Sequence, residues 1–289
     1  MKKWEEAVDI MSKKEVSYFI NGGDLFDICS PDLDVIYDII HRWNPKIKWL
    51  QTVGNHDIDG RSRDLKGTAL GLLEKSGVIE IPEKNYIIDD EIVGINEKSV
   101  YIRFAHYYDR QDGDKRFEVK DGGKDTYNIL ILHDSFTTEK VKFKHTMVKD
   151  IGDTNFDLVL CGHYHYPFEE KHGKTNYINL GSFTRLTKSM RDMARDIQLL
   201  IISPFEKQKL EFIKLKSVVK FQEAFDLEKV EQDIEEETKL SSEFTEGVNK
   251  LKSVGVNLEE EMISIAEEFK VKKGIVDVCK DYLSRARRG

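Results

Sequence analysis

The chain of 289 residues is poor in cysteine and proline and has no long apolar run. Its three cysteines, Cys29, Cys161 and Cys279, lie far apart and form no Cys-x-x-Cys pair. That argues against a disulfide scaffold and a cysteine-built zinc site, and it suits a reducing cytoplasm. The longest apolar stretches, such as Ile129-Leu130-Ile131-Leu132, fall far below the roughly 20 residues that cross a bilayer, so a membrane protein is excluded. The opening residues, Met1-Lys2-Lys3-Trp4-Glu5-Glu6, lack the apolar segment of a secretory leader. An excess of positive charge is also missing. With 45 Lys and Arg against 53 Asp and Glu, the net charge is −8. Any nucleic-acid contact must then be local or shared with a partner, because no global field draws a polyanion in.

What is present suits a globular enzyme. Hydrophobic residues make up 39%, enough for a core, and charged residues 34%, which implies a charge-rich surface. The length accommodates one catalytic domain and a smaller appendage. Trp4, Ala7, Val8 and Met11 recur at helical spacing. Residues 16–20 read as a strand. Ser30 and Pro31 read as the cap and first residue of a helix that continues through Leu33, Ile36, Tyr37 and Ile40. Residues 47–53 read as the next strand, so strand, helix and strand form a βαβ unit with parallel pairing. A helix is expected over 64–76. Strands are expected at 86–88, 99–104, 128–132, 157–161, 176–180, 197–202 and 209–214. The charged, Gly-rich stretch 109–126 reads as an exposed loop or hairpin tip. Residues 1–220 thus form an α/β domain. Residues 221–289 change to acidic helical sequence with a basic end, and read as a helical appendage that either caps the core or docks a partner.

Four polar clusters each follow a predicted strand. They are Gly23-Asp24-Leu25-Phe26-Asp27, Gly54-Asn55-His56-Asp57, His133-Asp134 and Gly162-His163-Tyr164-His165. Polar groups beyond the carboxyl ends of strands are where α/β proteins build sites. Asp, Asn and His together suit Mn²⁺, Fe, Zn²⁺ or Mg²⁺. Two such cations roughly 3.5–4 Å apart can activate water and hold a phosphoryl oxygen. Singly, each cluster has an ordinary explanation: a Gly-Asp after a strand is usually a turn. Jointly they do not, since a tetrapeptide such as Gly54-Asn55-His56-Asp57 arises by chance in a chain this long well under ~1% of the time.

The order of these motifs resembles the calcineurin-like metallophosphoesterase superfamily over residues 4–220. The stretches Gly23 to Asp27, Gly162 to Pro167 and Tyr177 to Arg185 are similar to its SbcD-like DNA-repair exonuclease branch, phage relatives included. The resemblance implies a four-layer sandwich of two mixed β-sheets flanked by helices. It implies two divalent metals, Mn²⁺ foremost. Asp24 would bridge them, Asn55, His133 and His163 would complete one site, and His165 would contribute to the other. His56 would act as general acid on the leaving oxygen, Asp27 would orient it, and a metal-activated water would attack. Arg185 is a weaker candidate for phosphate binding. The implied partners are DNA, a coiled-coil ATPase of the SbcC type through 221–289, and a second copy of the chain.

One departure stands out. The superfamily's first motif, Asp-x-His, is absent, because no histidine here has Asp two residues before it. Either the natural protein is longer or carries its first strand elsewhere, or this is a degenerate member; the intact remaining motifs favour truncation. One metal site then keeps four ligands and the other only Asp24 and His165, which predicts weak or absent two-metal chemistry and an exposed sheet edge. Three functions compete: a DNA exo- or endonuclease subunit, a phosphatase on a small molecule or phosphoprotein, and a metal-binding scaffold without turnover.

Overall fold

A computed structural model describes residues 1–60, 63–88, 98–117, 125–185, 190–206, 209–218 and 263. The chain divides into two units, Met1–Val218 and Val219–Gly289. The expected helical appendage and the basic end lie outside the described residues. Among the described residues, no helix is long and apolar enough to cross a membrane.

The first unit is an α/β fold built on a six-stranded mixed sheet. Its strands are β3 (Asn85–Ile88), β4 (Ser99–Ala105), β5 (Thr126–Asp134), β8 (Leu158–His163), β9 (Phe168–His172) and β10 (Thr175–Asn179), in the order β3-β4-β5-β8-β10-β9. The four inner strands run parallel, and the two edge strands pair antiparallel. β5 is buried over nearly its whole length, as its unbroken apolar run requires of a central strand covered on both faces.

Alternation along β5 divides the core. Ile129 and Ile131 join Leu50, Phe104 and Leu158 on one face, while Leu130 and Leu132 join Phe136, Phe156 and Tyr177 on the other. The first face packs against a layer made of two small sheets. One is the parallel pair β1 (Tyr18–Asn21) and β2 (Lys48–Gln51), and the other is the antiparallel pair β11 (Gln198–Ile202) and β12 (Leu210–Lys214). Among the described residues β1 has a ladder on one side only.

Helices α1 (Lys2–Lys13), α2 (Leu33–Arg42) and α3 (Ala69–Lys75) cover the outer side of β1 and β2. The three tryptophans, Trp4, Trp43 and Trp49, gather there with Phe19 at centroid separations of 4.7–5.9 Å. The layers are therefore helices, a composite strand layer, the six-stranded sheet, and an outer cover of loops and short turns.

Three local expectations are corrected. α2 starts at Leu33 with Asp32 at its cap position, not at Ser30 and Pro31. The Cys29 carbonyl accepts the Ala69 N–H at 2.7 Å, which ties that segment to α3 instead. α3 starts at Ala69, because the Thr68 hydroxyl caps it by accepting the Gly71 N–H at 3.1 Å. The stretch read as a loop from 109 begins as 3₁₀ turns over Tyr107–Phe117, broken at Gly113. Arg110 and Arg116 pin it, each 2.7 Å from a different oxygen of Asp134 at the end of β5.

Candidate metal centre

The strand layers deliver the motif residues to one point. His133 follows Ile129 and Ile131 on the same face of β5, toward the layer carrying β1 and β2. Beyond β1 the chain turns through Gly22, Gly23 and Asp24, and beyond β2 through Gly54 and Asn55. Alternation along β8 would send His163 to the far face with Val159 and Cys161. Its φ of 76° interrupts the strand geometry and lets the ring meet His133, at a centroid separation of 5.1 Å. Asp24 also has a positive φ, 52°, a region that L residues seldom adopt outside functional or turn positions. Donor atoms of Asp24, His133 and His163 all lie within 4.8 Å of one another.

Close approach of the layers needs glycine at two places. A Cβ on Gly54 would stand 2.1 Å from Asp24 Oδ1, and one on Gly162 would stand 2.3 Å from the Gly22 carbonyl oxygen. That same carbonyl accepts the proton of His133 Nδ1 at 2.7 Å. The Nε2 lone pair of neutral His133 then faces Asp24 Oδ2 at 3.1 Å and Asn55 Oδ1 at 3.2 Å. Three lone-pair donors converging on one point repel one another unless a proton or a cation sits among them. This nitrogen and oxygen set, with one imidazole N–H anchored to a backbone carbonyl, fits a divalent metal.

The electrostatics agree. Burial opposes a charged His133 ring, but the Asp24 carboxylate overcomes it and raises the pKa. Burial would raise Asp24, yet hydrogen bonding and charge from His133 hold it below the usual range. Burial, helped by His133, lowers His163 to about 4, so that ring is neutral and ready to bind. Partial desolvation lowers His165, with Asp24 opposing and His56 adding to the effect.

The expected site residues fall into three settings. Asp24, Asn55, His133 and His163 come together in one donor group, His133 buried and the other three half-buried. His165 is exposed at the rim, within electrostatic reach of Asp24 and His56 but outside the tight donor group. His56 also stands at the rim with its side chain 41% exposed; its backbone N–H donates to Asp24 Oδ1 at 2.8 Å. Its Nδ1 lies 2.6 Å from the carbonyl oxygen of Asp27, whereas the Asp27 carboxylate is 4.0 Å away and 87% exposed. The backbone of Asp27, rather than its side chain, orients the ring. The Arg185 guanidinium donates to the carbonyls of Asp192 and Arg195, at 3.2 and 3.4 Å, within its own segment.

Sequence reasoning missed two supporting groups. The buried Asp57 carboxylate accepts the N–H groups of Asp24 (2.9 Å), Leu25 (3.1 Å) and Gly54 (2.8 Å), clamping the two metal-binding loops together. Burial raises its pKa to about 6 against those bonds. His106 is buried. It accepts the Val53 N–H at Nδ1 (3.0 Å) and donates from Nε2 to the Pro82 carbonyl (2.8 Å). Asp57 was visible as the fourth residue of its motif, but nothing local signals a buried clamp.

No curated protein matches the sequence. Three solved structures are similar at low identity. A novel archaeal phosphodiesterase is 17% identical with TM-score 0.38, covering 74% of this chain and 92% of that one. GAP50, the anchor in the inner membrane complex of Plasmodium, is 10% identical with TM-score 0.42, covering 74% and 84%. A predicted phosphoesterase from Streptococcus pneumoniae TIGR4 is 9% identical with TM-score 0.27, covering 68% and 97%. The description "Calcineurin-like phosphoesterase superfamily domain" matches residues 1–195, a span that holds every motif residue above. The chain belongs to the calcineurin-like phosphoesterase superfamily.

Proposed function

We propose that the chain is a metal-dependent phosphodiesterase that cleaves DNA, as the nuclease subunit of a repair complex. The observation that carries this reading is the placement of His56. Its backbone is bonded to Asp24 in the donor group, its Nδ1 is held by the Asp27 carbonyl, and its ring is exposed. With Nδ1–H committed to that carbonyl, Nε2 is the position from which a protonated ring can give a proton to a leaving oxygen. Divalent cations supply charge that holds phosphoryl oxygens and lowers the pKa of water. Asp24, Asn55, His133 and His163 would hold one such cation, Mn²⁺ foremost. His165 with Asp24 would offer a second, weaker position.

Substrate class and metal count test the reading. Purified chain loaded with Mn²⁺ is expected to hydrolyse a bis-aryl phosphate and DNA in preference to a mono-aryl phosphate. Preference for the monoester would favour a phosphatase, and no turnover with excess Mn²⁺ would favour a scaffold. Elemental mass spectrometry is expected to find one tightly held metal. Two tightly held metals would mean that a further group completes the second position.

The partners belong to the same proposal. Docking of a coiled-coil ATPase on 221–289 predicts that removing those residues abolishes capture of such an ATPase. Pairing of two copies is supported by the outer face of α2, where Leu33 (75% exposed), Tyr37 (65%) and Ile40 recur at helical spacing beside exposed Leu72 of α3. A two-fold axis would set the apolar stripes of two copies against each other.

A further inference from the structure

The segment between β6 (Phe136–Thr137) and β7 (Thr146–Met147) leaves β5 directly after His133 and Asp134. It reads Thr138-Glu139-Lys140-Val141-Lys142-Phe143-Lys144-His145. Lys140, Lys142 and Lys144 are exposed, and none has an ion-pair partner among the described residues. They flank Phe143 in the chain, on a protein of net charge −8, so this is a local reversal of sign. Phe143 is 51% exposed, which leaves a ring face open to solvent.

The segment is fastened to the metal centre at three points. The Thr146 N–H donates to the Ser135 carbonyl at 2.9 Å, and Ser135 itself bridges to His163. The Tyr164 hydroxyl, between His163 and His165 in the chain, donates to Glu139 Oε1 at 2.6 Å. Arg191 pairs with the same Glu139 oxygen and stacks over the Tyr166 ring, 4.2 Å from its centroid. Phe143 packs near Tyr164 and His145, with centroids 6.4 and 6.3 Å apart. Glu139 therefore carries the one carboxylate of the segment and it is occupied, while the lysines are not.

We infer that this segment is the substrate-gripping element of the site and that its ligand is single-stranded nucleic acid. This rests on the phosphodiesterase reading above. Three exposed lysines within five residues offer positive charge to a phosphate backbone, and an exposed ring offers a stacking platform that any base can use. A polyanion without bases, such as an acidic phosphoprotein, would engage the lysines and leave Phe143 idle. The aromatic is what selects nucleic acid.

The test uses the full chain in EDTA, so that no cleavage occurs, with a fluorescein-labelled single-stranded oligothymidylate and anisotropy as readout. Lys140→Glu, Lys142→Glu and Lys144→Glu together are expected to weaken binding at least about tenfold and to flatten the dependence of log K on log salt by about 2, since each phosphate contact on a single strand contributes about 0.7. Phe143→Ala is expected to weaken binding by about tenfold at unchanged salt slope, with Phe143→Trp restoring it. Thermal melts of every variant should match the wild type, so that lost binding is not lost fold. Wild-type binding that all the variants retain, or no wild-type binding at all, overturns the inference. Loss with the lysine variant but not with Phe143→Ala assigns the patch to a base-free polyanion and also overturns it. Loop-dependent binding without bis-aryl turnover by the wild type would sink the catalytic reading and leave the gripping element standing.

Discussion

His106 shows how one side chain can make a fold sensitive to acid. Val53 donates to its Nδ1, so the ring must carry its proton on Nε2, where the Pro82 carbonyl receives it. A second proton would meet the Val53 N–H head-on, and burial is the first reason that the pKa is lowered. The folded state therefore binds fewer protons than the unfolded one once the pH drops below the ordinary value of about 6.5, and stability falls from there downward. Thermal melts between pH 7 and 5 should show that decline. His106→Gln should be less stable at pH 7 and should decline less steeply; an equal slope would assign the effect elsewhere. Asp57 gives a second expectation. Asp57→Asn keeps the shape but turns an amide NH₂ toward backbone donors, at a cost of about 1–3 kcal/mol for a buried unpaired group. Metal affinity measured by calorimetry should fall with stability, because the loops of Asp24 and Asn55 lose their common anchor. Neither role was legible beforehand. The motif residues were readable because Asp, Asn and His stand next to glycine at the ends of apolar runs. A clamp such as Asp57 is defined by three N–H groups, two of them more than thirty residues away, and no local pattern encodes that. His56 carries its own prediction. His56→Ala should reduce DNA cleavage by roughly 10²–10⁴-fold, and hydrolysis of a nitrophenyl ester far less, because a nitrophenolate leaves without a proton. Equal losses on both would remove His56 from the acid role.

At the scale of elements, the site depends on how closely β8 approaches the turn after β1. Gly162→Ala would press a methyl against the Gly22 carbonyl, whose other task is to fix His133. The hydrophobic clusters lie on the strands behind, so the fold should persist while Mn²⁺ affinity drops at least about tenfold. A variant with native affinity would show that the layers can separate without loss. The strands themselves were readable, since their apolar runs are bounded by Gly, Asn and His, and β5 announced a central position by its unbroken apolar run. Helix starts were less so. Ser30-Pro31 has the local chemistry of a cap, but the bond between Cys29 and the start of α3 outweighs it. The 3₁₀ turns over Tyr107–Phe117 have no amphipathic pattern, and two arginines on a single carboxylate hold them in place.

For the molecule as a whole, the clusters of the first unit close within Met1–Val218. A chain ending at Val218 is expected to melt cooperatively and to retain Mn²⁺ binding; a broad, non-cooperative melt would mean that the second unit completes the core. Tyr37→Glu, on the exposed face of α2, should shift sedimentation from two copies to one if the pairing proposal holds. The backbone of Asp24 and His163 carries one further consequence. Both residues are held at positive φ, where the Cβ is crowded and glycine is not. Such positions cost of order 1–3 kcal/mol. The protein thus trades durability for a ready-made binding geometry: His163→Gly should lose tight Mn²⁺ binding, while relief of backbone strain offsets part of the packing lost with the ring.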